Sequence, residues 1–316
     1  FIFVKNSSDY YFYAIVSVSS TIIVGILNFF YVKKYCKIKV VKDINIKSHM
    51  LPMLILFSST IATTIYGNSD ITMLGIMTSE GTVGIYYLTV KIYEIAKRVV
   101  NSIIQVTIPR ISFYVSKGSN DEKNKLLNQI LKMLIVIAIP TVTGMILLKQ
   151  EIIYIVGGKE FLSGTFAFSV LSIALIFGVL ANFYSNLILI THKKEKYSLY
   201  ATIIAAITNV VLNFILIPRY NEKGAAITTL IAEFVVFLIT YVKSKECFKP
   251  SNIIRITMTS VFSSTSFILI KIICNLFVYN VILKTIIVIV VSIIVYFLLM
   301  ILLDKEEVLE IKNGIK

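Results

Sequence analysis

TVGIYYLTVKIYEIAKRVVNSIIQVTI, residues 82–108, is long and apolar enough to cross a membrane, yet it carries Lys91, Glu94, Lys97 and Arg98 at its middle. On a helix turning roughly 100° per residue, Tyr87, Lys91, Glu94, Arg98, Asn101 and Gln105 fall within about 80° of one another, a single polar stripe. Its Val, Ile and Leu residues contribute roughly −4 to −7 kcal/mol to insertion, whereas four central charges facing lipid cost on the order of +10 kcal/mol or more. The charges therefore face protein or a watery cavity. Charge held inside a membrane helix points to a transport path.

The rest of the chain is of one kind. Of 316 residues, 57% are hydrophobic and 15% charged, a balance that leaves a soluble domain no surface to show to water. Mean hydropathy is +0.85. Nine runs are long enough to span: Tyr11–Val32, Met50–Ile76, Thr82–Ile108, Leu126–Leu148, Thr165–Ile190, Tyr197–Ile217, Lys223–Val242, Arg255–Val278 and Ile282–Leu303. An isolated strand in lipid leaves its backbone groups unpaired, so Ile-rich runs such as Ile286–Val295 are expected to be helical, and the chain all-α and polytopic. Lys149–Gly164 is too short to span and is expected to lie at the outer interface, and Pro140 should kink its helix.

A net charge of +14 raises the possibility of nucleic acid, but the basic residues follow loop parity. Twenty of the 31 Lys and Arg residues lie in one set of alternate connections, including Lys33–Lys47, Arg110–Lys125, Lys193–Lys196 and Lys243–Arg255. Six lie in the opposite set and five inside spans. The positive-inside rule makes the rich set cytoplasmic, and with it the C-terminus. Lys132 and Lys271, near span ends, are expected to snorkel as anchors. Three cysteines without CxxC spacing and two distant histidines support no metal site or disulfide framework. The chain opens Phe1-Ile2-Phe3-Val4 and is expected to be the C-terminal part of a longer protein.

Three patterns, in order, carry a family resemblance. The first is Asp70-Ile-Thr-Met-Leu-Gly-Ile-Met77, then Val83-Gly84-Ile-Tyr86 and Lys91-Ile92. The second is Ile108-Pro109-Arg110-Ile-Ser112. The third is Asn209-Val-Val-Leu-Asn213-Phe-Ile-Leu-Ile-Pro218-Arg-Tyr220 running into Gly224-Ala225-Ala226-Ile-Thr228 and Ala232-Glu233. Together they resemble the polysaccharide-exporting branch of the multidrug/oligosaccharidyl-lipid/polysaccharide (MOP) superfamily, in particular O-antigen-unit flippases of the Wzx type, over nearly the whole chain. The resemblance implies a MATE-like fold of fourteen helices, of which these nine spans would be helices six to fourteen. Residues 1–49 would be the last helix of the N-terminal lobe and a basic cytoplasmic linker, 50–245 the six-helix C-terminal lobe, and 246–316 a final helix pair and cytoplasmic tail.

It also implies a function: moving an undecaprenyl-pyrophosphate-linked oligosaccharide, an O-antigen or capsule repeat unit, across the bacterial inner membrane by alternating access. The net positive stripe suits an anionic head group independently of the resemblance, since ammonium and guanidinium groups are the usual phosphate partners. Lys91, Lys97 and Arg98 would hold that head, Asp70 and Glu94 would serve as counter-ions or in coupling to H⁺ or Na⁺, and Tyr87, Asn101 and Gln105 would line the same cavity. Asp70 and Lys91, matched in depth and opposite in sign, are expected to pair. Glu233 reads as a buried hydrogen-bonded partner of a neighbouring helix or a cavity carboxylate, and the pairs Asn182/Asn186 and Asn209/Asn213 as interhelical glue or sugar contacts. No cofactor or metal is expected. Partners would be the lipid-linked glycan, membrane lipids and, by resemblance, a glycan polymerase and other polysaccharide-assembly proteins. The alternative is a cation-coupled multidrug exporter of the same superfamily, which should show an acidic cavity. A membrane-embedded glycan polymerase or ligase would need a sizeable outer loop, and these outer connections are short.

Overall fold

A computed structural model of the chain describes residues 10–35, 50, 64, 67–305 and 307, and among these every regular segment is helical. Two units are distinguished, Phe1–Ile55 and Leu56–Lys316. The first contains α1 (Tyr10–Tyr35), about 39 Å long at 1.5 Å per residue, with Lys33 in its last turn placed 4.5 Å over the Phe29 ring.

The second unit contains α2 (residues 67–77), α3 (Glu80–Lys117), α4 (Asn120–Leu147), α5 (Lys149–Gly157), a 3₁₀ turn (Lys159–Gly164), α6 (Thr165–Asn182), α7 (Glu195–Ser244), α8 (Ile253–Phe277) and α9 (Val281–Leu303). Of the Met50–Ile76 run, residues 51–63 and 65–66 lie outside the described residues; its end forms α2. Every other predicted span is found in a helix. Five segments are long and apolar enough to cross a membrane: Asn120–Leu147, Lys159–Ile190, Glu195–Ser244, Ile253–Phe277 and Val281–Leu303. The charged stripe distinguishes α3 from these.

Local chemistry sets the boundaries. Ser79 caps α3 by accepting from the Thr82 amide, and Gly118 ends it at φ 73°, returning its own amide to Tyr114 and Val115 carbonyls. After Asn182 the α6 helix widens into a π-helix over Phe183–Ile190. The 50 residues of α7 are two arms, broken at Asn221 (φ 49°, ψ −130°) three residues after Pro218. These arms hold the two runs Tyr197–Ile217 and Lys223–Val242. They pack so closely that a Cβ on Gly224 would stand 2.5 Å from the Leu216 carbonyl oxygen. Ala167, Ala174 and Ala181 on α6 and Ala201, Ala205, Ala225, Ala226 and Ala232 on α7 are buried, the small side chains that let membrane helices approach.

A second core joins α4 to the α8–α9 hairpin through Val136, Ile256, Phe267, Tyr296 and Met300, with the Tyr296 hydroxyl donating to the Val136 carbonyl at 2.8 Å. Here the expectation of snorkelling lysines fails. Lys132 is 3% exposed and reaches Glu307 at 2.5 Å, while Lys271 bonds the Leu147 carbonyl at 2.6 Å and Glu151 at 2.9 Å. A carboxylate within reach is a better partner than a stretched path to the interface, so these lysines tie helices together. The Lys149–Gly164 segment is short and helical, as expected of an element that cannot span, and it packs inward through buried Glu151 and Ile153.

Candidate functional site

The site is built on α3, whose two faces differ in kind. One buries Tyr86, Thr89, Val90, Tyr93, Val100 and Ile104 against its neighbours. The other carries the stripe. There Glu94 is shared, 3.2 Å from Lys91 and 3.5 Å from Arg98, and the Lys91 ammonium lies 5.0 Å over the exposed Tyr87 ring. Arg98 is 79% exposed, so one long contact to Glu94 leaves most of its guanidinium presented outward. Gln105 is exposed, and Asn101 is half-buried with its side-chain oxygen buried and without a hydrogen-bond partner among the described residues.

Lys97 departs from the stripe. Its ammonium turns to Glu233 of the second α7 arm and lies 3.0 Å from the Tyr93 hydroxyl, which itself donates to Glu233 at 3.0 Å. Glu233 is buried, as the hydrogen-bonded reading expected. Gly178 of α6 makes the room: a Cβ there would lie 2.6 Å from the Lys97 Nζ and 2.8 Å from Glu233 Oε2.

Asp70 does not pair with Lys91. It accepts from the Tyr86 hydroxyl at 2.5 Å, from Thr229 at 3.2 Å and from the Ile71 amide at 2.8 Å, on the buried face of α3, while Lys91 lies on the other. Position along a helix does not fix which face of it a neighbouring side chain meets. Next to Asp70, Ser69 donates to Asn209 at 2.8 Å, Asn213 to Asn209 at 3.0 Å and Thr228 to Asn213 at 2.5 Å, so this amide pair knits α2 to both arms of α7. Asn182 and Asn186 bond each other along one helix instead.

The structure thus joins Asp70, Tyr86 and Thr229 in one polar knot and Glu233, Tyr93 and Lys97 in another, seven residues apart on α3. Tyr93 and Gly178 were not singled out in the sequence, and Tyr86 stood there only within a family pattern. Their signal was the i, i+7 spacing of Tyr86 and Tyr93 facing the i, i+4 spacing of Thr229 and Glu233. With Glu233 taking Lys97, the outward-facing charge reduces to Lys91 and Arg98 against Glu94. A cavity of about 1240 Å³ between α4, α6, α7 and α8 is lined by none of the stripe residues.

Comparison with known proteins adds the following. Residues 1–115, through most of α3, match the profile of a family described as polysaccharide biosynthesis protein. No curated protein matches the chain. Among solved structures, a lipid II flippase MurJ in an inward closed conformation superposes with a TM-score of 0.72 at 22% identity, over 90% of this chain and 61% of that one. An outward-facing multidrug-resistance MATE transporter of the MOP superfamily gives 0.51 at 19%, over 69% of this chain and 52% of that one. The fold is similar to the folds of these two transporters. A MOP transporter from Pyrococcus furiosus, described as having a binding pocket of reverse polarity that suggests a different function, matches to the same extent, 0.51 at 19% over 69% and 52%. The chain spans about three fifths of the flippase and half of the other two MOP chains.

Proposed function

We propose that the chain belongs to a flippase that carries a polyprenyl-pyrophosphate-linked oligosaccharide, of the O-antigen or capsule-unit class, across the bacterial inner membrane. The observation that carries this reading is the outward presentation of Arg98 and Lys91 on a helix of membrane length, two cations that share the single carboxylate of Glu94 and so leave the stripe net positive. The match of residues 1–115 to a polysaccharide-biosynthesis family and the likeness to a lipid II flippase support it. On this reading residues 50–245 form one lobe and the stripe lines the cavity it shares with the other, which alternates in access. Tyr87, Asn101 and Gln105 meet the sugar or the diphosphate. Asp70, enclosed by three donors, is the candidate for coupling to H⁺ or Na⁺. The multidrug-exporter alternative loses support, because Asp70 and Glu233 are engaged inside the protein and leave Glu94 as the acid of the outward face.

In the full-length protein, Arg98→Ala at matched abundance should abolish most surface glycan and accumulate lipid-linked units inside, and Arg98→Lys should recover only part, since ammonium cannot grip phosphate with two prongs. Normal export from Arg98→Gln paired with Glu94→Gln would remove Arg98 from the cargo site. We further propose that the C-terminus is cytoplasmic; a cysteine replacing Ser79 should then react with an impermeant thiol reagent added outside, and protection there with labelling at Ser119 would invert the assignment.

A further inference from the structure

Lys97 and Arg98 are neighbours in sequence with opposite fates. Arg98 is 79% exposed, whereas Lys97 is 22% exposed and held by Glu233 and Tyr93. On the helical wheel Lys97 stands about 80° from the middle of the stripe and about 40° from Tyr93, on the border between the outward and buried faces. Its flexible stem can serve either side. Glu233 is also no ordinary structural partner: it is 8% exposed, fixed from α3 by the Tyr93 hydroxyl, and given space by Gly178. It supplies Lys97 with what a phosphate would supply, a pair of anionic oxygens.

We propose that Glu233 is a built-in competitor for the cargo head group: it holds Lys97 while the site is empty and yields it when a phosphate or pyrophosphate ester settles against Arg98 and Lys91. This rests on the anionic-cargo reading above. Among the described residues, the charged groups placed around Glu233 are Lys97 on α3, with Glu94 one turn along it, and Asp70 beyond Thr229 from α2; Tyr93 also donates to it, and α6 presents Gly178. Once Lys97 leaves, Glu233 keeps the Tyr93 bond, and the ionic tie between α3 and the second arm of α7 is gone. Two consequences follow. A neutral or weakly charged head cannot displace the carboxylate, so Glu233 sets a threshold of charge for cargo. Occupancy is also converted into loosening between α3 and α7, a differential contact of the kind that shifts a two-state equilibrium.

The test uses full-length protein in lipid nanodiscs, with farnesyl pyrophosphate as probe and farnesol as the uncharged control, binding being followed by titration calorimetry. Glu233→Gln, which keeps an oxygen for Tyr93, should bind the pyrophosphate about tenfold more tightly, because its competitor has lost its charge. Lys97→Gln should bind it about tenfold more weakly, and Lys97→Gln with Glu233→Gln should show no gain over Lys97→Gln. Should Glu233→Gln not fold, Glu233→Asp, one methylene shorter, carries the same test with a smaller gain. Unchanged or weaker binding by the folded Glu233 variant overturns the proposal while leaving the cargo reading intact. No binding to the wild-type protein overturns both.

Discussion

At the scale of single residues, the site is a set of choices about which carboxylate each cation takes. What sequence revealed was the stripe itself, since helical spacing fixes azimuth along one helix; what it could not reveal was azimuth between helices, and so Asp70 was matched with Lys91 by height and found its donors in Tyr86 and Thr229. His192 makes a residue-scale prediction of a different kind. In the turn before α7, one ring nitrogen lies 2.7 Å from the Ile188 carbonyl and the other 3.2 Å from the Lys123 ammonium, which requires the neutral ring: donor to the first, acceptor from the second. Burial first, and Lys123 and Lys194 beside it, lower its pKa from 6.5 despite the Ile188 bond. The unfolded chain therefore binds this proton more readily, so stability should fall as pH drops through about 6.5 toward the lowered folded value. Thermal unfolding of purified protein at pH 8 and pH 5.5 should show a smaller acid-induced loss in His192→Gln than in the wild type; an identical loss would remove His192 from this role.

At the scale of elements, most of the fold was legible because long apolar runs leave helices as the one solution. Tyr197–Ile217 and Lys223–Val242 were read as separate spans, and the break between them falls at Asn221, where Pro218 and Gly224 flank the turn. The π-helical end of α6 carried no such signal: Phe183–Ile190 is as apolar as an α-helix, and its wider winding is a tertiary outcome. The α7 break predicts opposite effects from two small changes. Asn221 sits at φ 49°, where an L side chain is strained, so Asn221→Gly should raise stability by about 1 kcal/mol. Gly224→Ala drives a methyl against the Leu216 backbone and should cost about 1–3 kcal/mol or more. Unfolding temperatures measured in detergent for both variants check the signs, and a neutral Gly224→Ala would mean that the arms have room to part.

At the scale of the whole described molecule, α8 and α9 are fastened at both ends. Arg255 meets Asp304 at 2.9 Å and Lys132 meets Glu307 near one end, while Lys271 and Lys284 converge on Glu151 at 2.9 and 3.9 Å near the other. The lysines that hydropathy placed as interfacial anchors are the fasteners, because sequence shows a charge's depth but not the carboxylate that folding brings to it. These fastenings also measure something. On α4 the two attachment points, Lys132 and the Leu147 carbonyl, are fifteen residues apart, about 22 Å along the helix. Between them the hairpin's exposed side chains are mostly apolar, among them Phe262, Leu269, Ile289 and Ile293. Set against a typical hydrocarbon core about 30 Å thick, this spacing predicts that the α4 face fits best in a bilayer that is thin or that thins around it, its paired charges tolerating the difference where unpaired ones would not. Reconstituted into phosphatidylcholines of increasing acyl length, the protein should be most heat-stable in the shorter chains. Glu151→Gln, which leaves two ammonium groups without their shared counter-ion, should lose most stability in the longest, and a loss independent of thickness would show that the height between the fastenings does not govern the fit.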